Sequence, residues 1–200
     1  MKRKPYSAGA VKFSFWFLEF RKMVGLLSDG LTFAEIRDMN EVQNIFGAST
    51  KERRRQIFAT VSARVESLDL SFCVLFQQGD VTSQKQLALA AALAHDTLFF
   101  DFVREVIHEK LLLGNLELSE ADLRIFFHHK QVQDKKVASW REQTIQRLGR
   151  AYRSMLAEAG LIGSAGKAKR AIYLPLLDSS VEEWLRGHDM NEIVEALSDR

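Results

Sequence analysis

The chain has 200 residues, of which 46% are hydrophobic and 27% charged, and it contains only two prolines. This composition argues against a disordered chain and is typical of a soluble, mainly helical globular protein. The formal net charge of +2 gives almost no information about partners. The single cysteine, Cys73, cannot form an internal disulfide, and we expect it to be a buried thiol in a reducing cytoplasm.

The charges are distributed unevenly along the chain. Residues 1–64 carry a formal charge of +6 and residues 135–173 carry +7, whereas residues 65–134 carry −6 and residues 174–200 carry −5. Two basic blocks separated by acidic ones indicate polarised surfaces. Such surfaces attract polyanions more strongly than the net charge suggests.

The basic and then apolar N-terminus resembles a secretory signal peptide, but its apolar run is too short. Lys12 and Glu19 limit that run to six residues. No uncharged apolar stretch approaches the ~20 residues that a membrane-spanning helix needs. We therefore expect a cytoplasmic protein that does not enter a membrane.

The N-terminal part of the chain has the periodicity and the capping residues of helices. Apolar residues at helical spacing over 11–27 predict an amphipathic helix. A capping box at Thr32–Glu35 predicts a helix to about Asn44, and a second at Ser49–Glu52 predicts one to about Leu70.

These two helices have the order of a helix-turn-helix motif, in which the start of the second helix reaches a DNA groove. Arg54 falls inside the predicted apolar stripe of the second helix, which consists of Phe58, Val61, Val65 and Leu68. Arg54 must then extend past the core or pair with a carboxylate. A solvated basic face is the structural alternative to DNA contact. The candidate DNA-contacting residues here are Lys51, Arg53, Arg54 and Arg55.

The sequence predicts buried helices in the middle of the chain. Ser83 with Gln86 is expected to cap an Ala/Leu-rich helix, and 97–113 predicts a buried helix closed by Gly114. Its acidic residues recur at i, i+4 and i+8, a spacing that could coordinate a cation, although a solvated face is favoured. These residues are Asp101, Glu105 and Glu109. We place a soft boundary near residue 80, between an N-terminal helical unit (1–80) and a C-terminal helical unit (81–200), with a single compact domain as the alternative.

The C-terminal unit has the element order of a winged helix-turn-helix. Ser119–Asp122 predicts a helix start, Ser139–Glu142 begins a long helix, and 161–174 predicts a β-hairpin. A last helix is expected over about 181–197. Arg and Gln suit both phosphate contact and base-edge readout. The candidate DNA-contacting residues are Gln143, Gln146, Arg147, Arg150 and Arg153 on the long helix, and Lys167, Lys169 and Arg170 on the wing.

Other chemistry finds little support in the sequence. His128 and His129 are adjacent and point about 100° apart on a helix, so they cannot share a metal without further partners. The sequence contains no P-loop, no GxGxxG, no serine nucleophile elbow and no HExxH motif. We therefore expect no metal, no cofactor and no enzymatic activity.

With these segments in view, the chain resembles the BrxA family, the small helical component of BREX phage-defence systems. The resemblance rests on the joint order of several segments: "YSAG", "RRRQIFATVSARVESLD", "LFFDFVREVIHEKLLLG", "DLRIFF", "VASWREQTIQRL" and "EAGLI". It implies a non-enzymatic protein with helix-turn-helix-like modules that binds double-stranded DNA. It also implies that the protein acts together with other BREX proteins, namely a methyltransferase, an ATPase, a phosphatase-like protein and a Lon-like protease. A looser similarity of some members to antitermination factors implies RNA as another ligand.

The leading hypothesis is thus a DNA-binding accessory protein whose affinity comes mainly from phosphates, with weak sequence preference. About six phosphate contacts would lower the affinity about a thousandfold between 50 and 200 mM salt. One alternative is an RNA-binding antitermination-like factor. Another is a protein scaffold, in which the acidic blocks bind partner proteins and the basic blocks form internal or intersubunit ion pairs.

Overall fold

The computed structural model describes residues 3–164, 169–173 and 176–198, and within them the chain is mainly α-helical. It divides into two compact units. One is Trp16–His95, and the other combines the described residues before Trp16 with those after His95. The boundary therefore lies after residue 95, whereas the sequence analysis placed it near residue 80. The reason is that the helix after residue 80 packs against earlier helices of the first unit.

Five helices build the unit Trp16–His95. They are α1 (Phe17–Ser28), α2 (Phe33–Gln43), α3 (Lys51–Val65), α4 (Phe72–Gln78) and α5 (Val81–His95). Aromatic rings of α1 and α4 form the centre of the core. Phe20 packs with its ring centroid 5.7 Å from that of Phe76, and Phe72 meets Phe76 edge-on at 6.2 Å. Helix α5 packs against α1, α3 and α4, which buries most of its Ala/Leu-rich surface.

The helix starts in this unit follow the sequence prediction in one case and differ in two. The capping box of Thr32 and Glu35 is confirmed at the start of α2. The box predicted at Ser49 is wrong, because Thr50 is the N-cap of α3 and accepts a hydrogen bond from the Arg53 amide. Helix α5 begins at Val81, and the Asp80 carboxylate accepts hydrogen bonds from the amide and hydroxyl of Ser83.

Three residues of the apolar stripe predicted for α3 are buried, namely Val61, Val65 and Leu68. Phe58 is only half-buried, and Ile57 beside it is buried. The helix ends at Val65 rather than near Leu70.

The second unit contains helices and a small sheet. A 3₁₀ turn (Gly9–Lys12) precedes α6 (Thr97–Phe102), a π-helical turn (Val103–His108), α7 (Glu109–Leu112), β1 (Glu117–Ser119), α8 (Glu120–Gln133), α9 (Lys135–Ala138), α10 (Glu142–Ala159), β2 (Lys169–Ala171), α11 (Ser179–Gly187) and α12 (Asn191–Ala196). Tyr152 of α10 lies at the centre of its core. Its ring stacks on Phe99, Phe102 and Phe127 at centroid distances of 4.8, 5.7 and 6.1 Å.

Three details of this unit differ from the sequence prediction. The helix predicted over 97–113 contains the π-helical turn, although Gly114 does adopt a left-handed backbone after its end. The box predicted at Ser139 is wrong, because α10 begins at Glu142 and its N-cap, Arg141, makes no side-chain cap bond. The last helix is divided into α11 and α12, because Asp189 between them takes a left-handed backbone with φ of 58°.

The sheet joins segments that are far apart in sequence. The two arms of the predicted hairpin pair as expected, since Ile162 bridges Ile172 and the Gly163 amide donates to the Ala171 carbonyl over 2.8 Å. Strand β2 also pairs antiparallel with β1, with Leu118 opposite Arg170. The sequence analysis did not predict β1, because three residues directly before a helix cap carry no clear strand pattern. Residues 165–168, including Lys167, lie outside the described residues.

Within the described residues, no single helix is long and apolar enough to cross a bilayer. Two consecutive helical segments, Val81–His95 and Thr97–Leu112, are long and apolar enough for a membrane span only when they are taken together, and the chain bends sharply between them.

Candidate nucleic-acid interface

The basic residues at the start of α3 contact the end of α2. The Arg54 guanidinium donates to the backbone carbonyl of Glu41 over 2.6 Å, and Arg55 Nε donates to Glu41 Oε1 over 2.9 Å. The hydrogen bond from Arg55 lowers the pKa of the Glu41 carboxyl below its usual range. The carboxyl end of a helix carries partial negative charge, so these two cations stabilise the end of α2. Of the two predicted outcomes for Arg54, extension past the core or pairing with a carboxylate, the second is wrong for this hydrogen bond, because the acceptor is a backbone carbonyl.

Arg53 also makes contacts within its own unit. Its guanidinium carbon lies 4.7 Å from the ring centroid of Trp16, a cation–π contact, and it donates to Gln56 Oε1 over 2.8 Å. Lys51 is exposed, and its side chain makes no hydrogen bond or ion pair among the described residues. Three of the four candidate cations on α3 therefore take part in packing within Trp16–His95.

Helix α10 places its apolar residues on one face, as the sequence analysis predicted. Gly149 lies on this face, where α10 approaches α8 closely. A Cβ atom on Gly149 would lie 2.8 Å from Leu123 Cδ2, so only glycine allows this approach without a shift. The buried residues that define the face are Ile145, Leu148, Tyr152, Met155 and Leu156.

The opposite face of α10 is exposed and carries polar and basic side chains. Gln143, Gln146, Arg147 and Arg150 are all exposed. Gln146 donates to Glu142 Oε1 over 3.2 Å, and Arg150 Nε donates to the Gln146 carbonyl over 3.4 Å. The Arg147 side chain makes no hydrogen bond or ion pair among the described residues. This face is accessible to a large ligand.

The sheet brings the wing cations to the end of α10. The Arg170 guanidinium donates to the backbone carbonyl of Arg153 over 3.4 Å. The Arg153 side chain is 14% exposed, and its guanidinium lies 3.3 Å from Glu120 Oε1. Lys169 Nζ forms an exposed ion pair with Glu117 Oε2 at 2.8 Å.

Two recesses flank α10. The first, of about 450 Å³, lies between α8 and α10 and has an apolar floor that includes Leu123, Phe127 and Ile145. The second, of about 440 Å³, lies between α10 and the sheet. We call this second recess the arginine cleft, and its lining residues are Arg150, Arg153, Ser154, Ala157, Glu158, Ser164 and Arg170. The sequence predicted each of these arginines as a separate DNA contact. It could not predict that Arg170 contacts Arg153, because that contact depends on the pairing of β2 with β1.

The acidic residues on α6 and the π-helical turn contact a buried lysine. Lys130 Nζ lies 3.2 Å from Asp101 Oδ2 and 2.6 Å from Glu105 Oε1. The expected solvated face is wrong for Asp101, which is 2% exposed and also accepts hydrogen bonds from Tyr6 and Arg3. Burial opposes the charged amine, but the Glu105 hydrogen bond and the Asp101 charge outweigh it and raise the pKa of Lys130. Among the described residues, no group of three or more His, Cys, Asp or Glu could hold a metal ion.

Comparisons with known proteins agree on one family. The BrxA family model matches residues 4–189. The chain is similar to the BREX protein BrxA of Bacillus cereus (strain H3081.97), with 36% identity over 93% of this chain and 92% of that protein. It is also similar to the BREX protein BrxA of Escherichia coli O9:H4 (strain HS), with 26% identity over 76% of this chain and 72% of that protein.

A solved structure shares the fold. The crystal structure of an uncharacterized protein from Magnetospirillum magneticum matches with a TM-score of 0.83 and 21% identity. The match covers 98% of this chain and 100% of that one.

Proposed function

Because the chain belongs to the BrxA family, a component of BREX phage-defence systems, we propose that it binds double-stranded DNA for such a system, without catalysing a reaction. In this proposal it acts in the cytoplasm and holds the duplex while other BREX proteins act on it. Phosphates supply most of the affinity, and the sequence preference is weak.

The observation that carries the proposal is the exposed face of α10. Arg147 and Arg150 point outward from one helix, and Gln143 and Gln146 lie beside them. Arg and Gln are the side chains that reach both phosphates and base edges. The opposite face is anchored in the core by Tyr152, so the helix presents these groups from a rigid base.

The order of the elements around α10 supports the same proposal. Strand β1, helices α8, α9 and α10, and then two paired strand segments follow one another as in a winged helix-turn-helix. In that motif the last helix enters the major groove, and the wing lies along the backbone. Helix α10 has the place of the recognition helix here. The short helix α9 occupies the connection between α8 and α10, which is longer than the 3–4-residue turn of that motif.

Helix α3 contributes less to DNA binding than the sequence predicted. Arg53, Arg54 and Arg55 already have partners within their own unit. Four arginines remain as the main phosphate ligands, namely Arg147, Arg150, Arg153 and Arg170. Four phosphate contacts give a salt slope of about −3.6, which lowers the affinity about a hundredfold between 50 and 200 mM salt.

Fluorescence anisotropy with a labelled duplex of random sequence tests the proposal. The wild-type protein is titrated at 50 and 200 mM salt, and then the double variant Arg147→Gln/Arg150→Gln. We expect the double variant to lose about two units of salt slope and to bind more weakly at both salt concentrations. Arg55→Gln is the matched control, because it also removes one exposed arginine but one that is bound to Glu41. It should change the affinity less than twofold.

The competing functions predict different results. Single-stranded RNA that displaces the duplex at equal concentration would favour the antitermination-like alternative. Such binding relies on exposed aromatic rings. A salt slope near zero would contradict nucleic-acid binding and favour a scaffold that binds other BREX proteins.

A further inference from the structure

The arginine cleft brings three guanidinium groups to one opening. Arg150 and Arg153 are separated by about one turn of α10, and Arg170 reaches the same place from β2. The hydroxyl-bearing residues Ser154 and Ser164 also line the opening. Glu158 is the acidic residue among its described lining residues, so cations outnumber acids there.

Two of these guanidinium groups are incompletely bonded. The Nε atoms of Arg153 and Arg170 are buried, and neither has a hydrogen-bond partner among the described residues. A buried donor without a partner is destabilising, and more so when it is part of a charged group. Both side chains thus hold an unsatisfied buried donor, and an anion in the cleft can approach them only at their terminal guanidinium nitrogens.

The two cations also repel each other. Burial, and then the charge of Arg153, lower the pKa of Arg170 below its usual value. Like charges held close together in a partly buried place favour the binding of an anion between or beside them. Glu120 neutralises only part of this charge, because its carboxylate is exposed and reaches Arg153 from outside the cleft.

We propose that the arginine cleft binds a single phosphate group of the DNA duplex and fixes the register of the protein on the backbone. This rests on the proposed function, and it adds that the phosphate contacts are unequal. Guanidinium groups fit the oxygens of a phosphate as a planar fork, whereas an ammonium group acts as a point charge. Arg153 and Arg170 thus share one phosphate through their guanidinium groups, while Arg147 makes a loose contact through solvent.

Charge-conserving variants test this inequality. Arg170→Lys keeps the charge and removes the fork, and we expect it to weaken duplex binding about tenfold at 100 mM salt. Arg55→Lys, at an exposed arginine bound to Glu41, is the matched control and should change the affinity less than twofold. Arg147→Lys should weaken binding less than Arg170→Lys does. Equal, small effects of Arg170→Lys and Arg147→Lys would overturn the cleft proposal while leaving DNA binding intact. The thermal unfolding midpoint of Arg170→Lys is measured alongside, to exclude a loss of folded protein.

A second measurement tests the cleft without DNA. Inorganic phosphate is titrated into the wild-type protein at constant ionic strength, and the arginine Nε–H resonances are followed by NMR. We expect the Arg153 and Arg170 signals to shift and saturate, and the Arg147 signal to move little. Absence of any saturable shift would contradict the cleft proposal, even if Arg170→Lys failed to fold. A saturable shift in a protein that does not bind the duplex would contradict the proposed function and retain the anion site.

Discussion

Lys130 and Asp101 form an ion pair that is almost completely buried. Their Nζ and Oδ2 atoms lie 3.2 Å apart, and each side chain is 3% exposed. Tyr6 donates to the same carboxylate over 2.6 Å, and Arg3 donates to its other oxygen over 2.9 Å. A buried charge is tolerated only when its hydrogen bonds are satisfied. This pair therefore fixes the N-terminal segment onto α6 and α8.

Removal of the lysine should be strongly destabilising. Lys130→Met leaves the buried Asp101 with Arg3 as its remaining cationic partner, and we expect a loss of about 3 kcal/mol in the free energy of unfolding. Chemical denaturation measures this loss. Lys136→Met, on an exposed lysine, is the control and should stay within about 0.5 kcal/mol of wild type. A similar small effect at Lys130 would show that the pair contributes nothing to stability.

A larger residue at position 149 should separate α10 from α8. The Cβ of a Gly149→Ala variant would lie 2.8 Å from Leu123 Cδ2, and Gly149→Val adds two more methyl groups there. We expect Gly149→Val to cost about 1–3 kcal/mol of unfolding free energy. Leu123→Ala in the same chain removes the clash, so the two changes together should cost less than the sum of their separate effects. Strict additivity would mean that the helices do not meet at this point.

Loss of the Tyr152 hydroxyl should leave the protein at least as stable as before. This hydroxyl is buried among aromatic rings and has no hydrogen-bond partner among the described residues. Tyr152→Phe keeps the ring and removes the unsatisfied group, so we expect the unfolding free energy to rise by about 1 kcal/mol. Tyr152→Leu is the comparison, and it should destabilise because it also removes the ring contacts. A clear loss of stability in Tyr152→Phe would reveal a partner for the hydroxyl.

The cap of α8 should make stability depend on acid pH. Burial raises the pKa of Asp122, but hydrogen bonds from Ser119 and the Lys110 ion pair outweigh it, so the pKa falls below 3.8. A lowered native pKa means that the contribution is present above pH 3.8 and disappears as the pH falls through the native value.

Asp122→Asn should therefore cost about 1 kcal/mol at pH 7. The difference from wild type should shrink as the pH falls below 3.8. Unfolding free energies of both proteins at several pH values check this expectation. Glu183→Gln, an exposed change on α11, should show no such trend. If the difference in unfolding free energy between the two proteins does not change with pH, the charge of Asp122 does not contribute to the cap.

The sequence by itself determined the helical class and the face of the main basic helix. Apolar residues at helical spacing must be buried together, so Ile145, Leu148 and Tyr152 predicted which side of α10 faces the core and left Arg147 outside. Local capping chemistry likewise fixed the starts of α2 and α8, because a Thr or Ser side chain and its N3 acid interact within four residues.

Only the tertiary structure decided which basic side chains are available to bind a ligand. Arg55 is bound to Glu41, and Arg153 meets Arg170, and both contacts join residues that are distant in the chain. The pattern of a single helix cannot show what lies opposite a long side chain, because the partner is set by packing between elements. The arginine cleft and the buried Lys130 pair arise in this way, from the pairing of β1 with β2 and from the packing of α8.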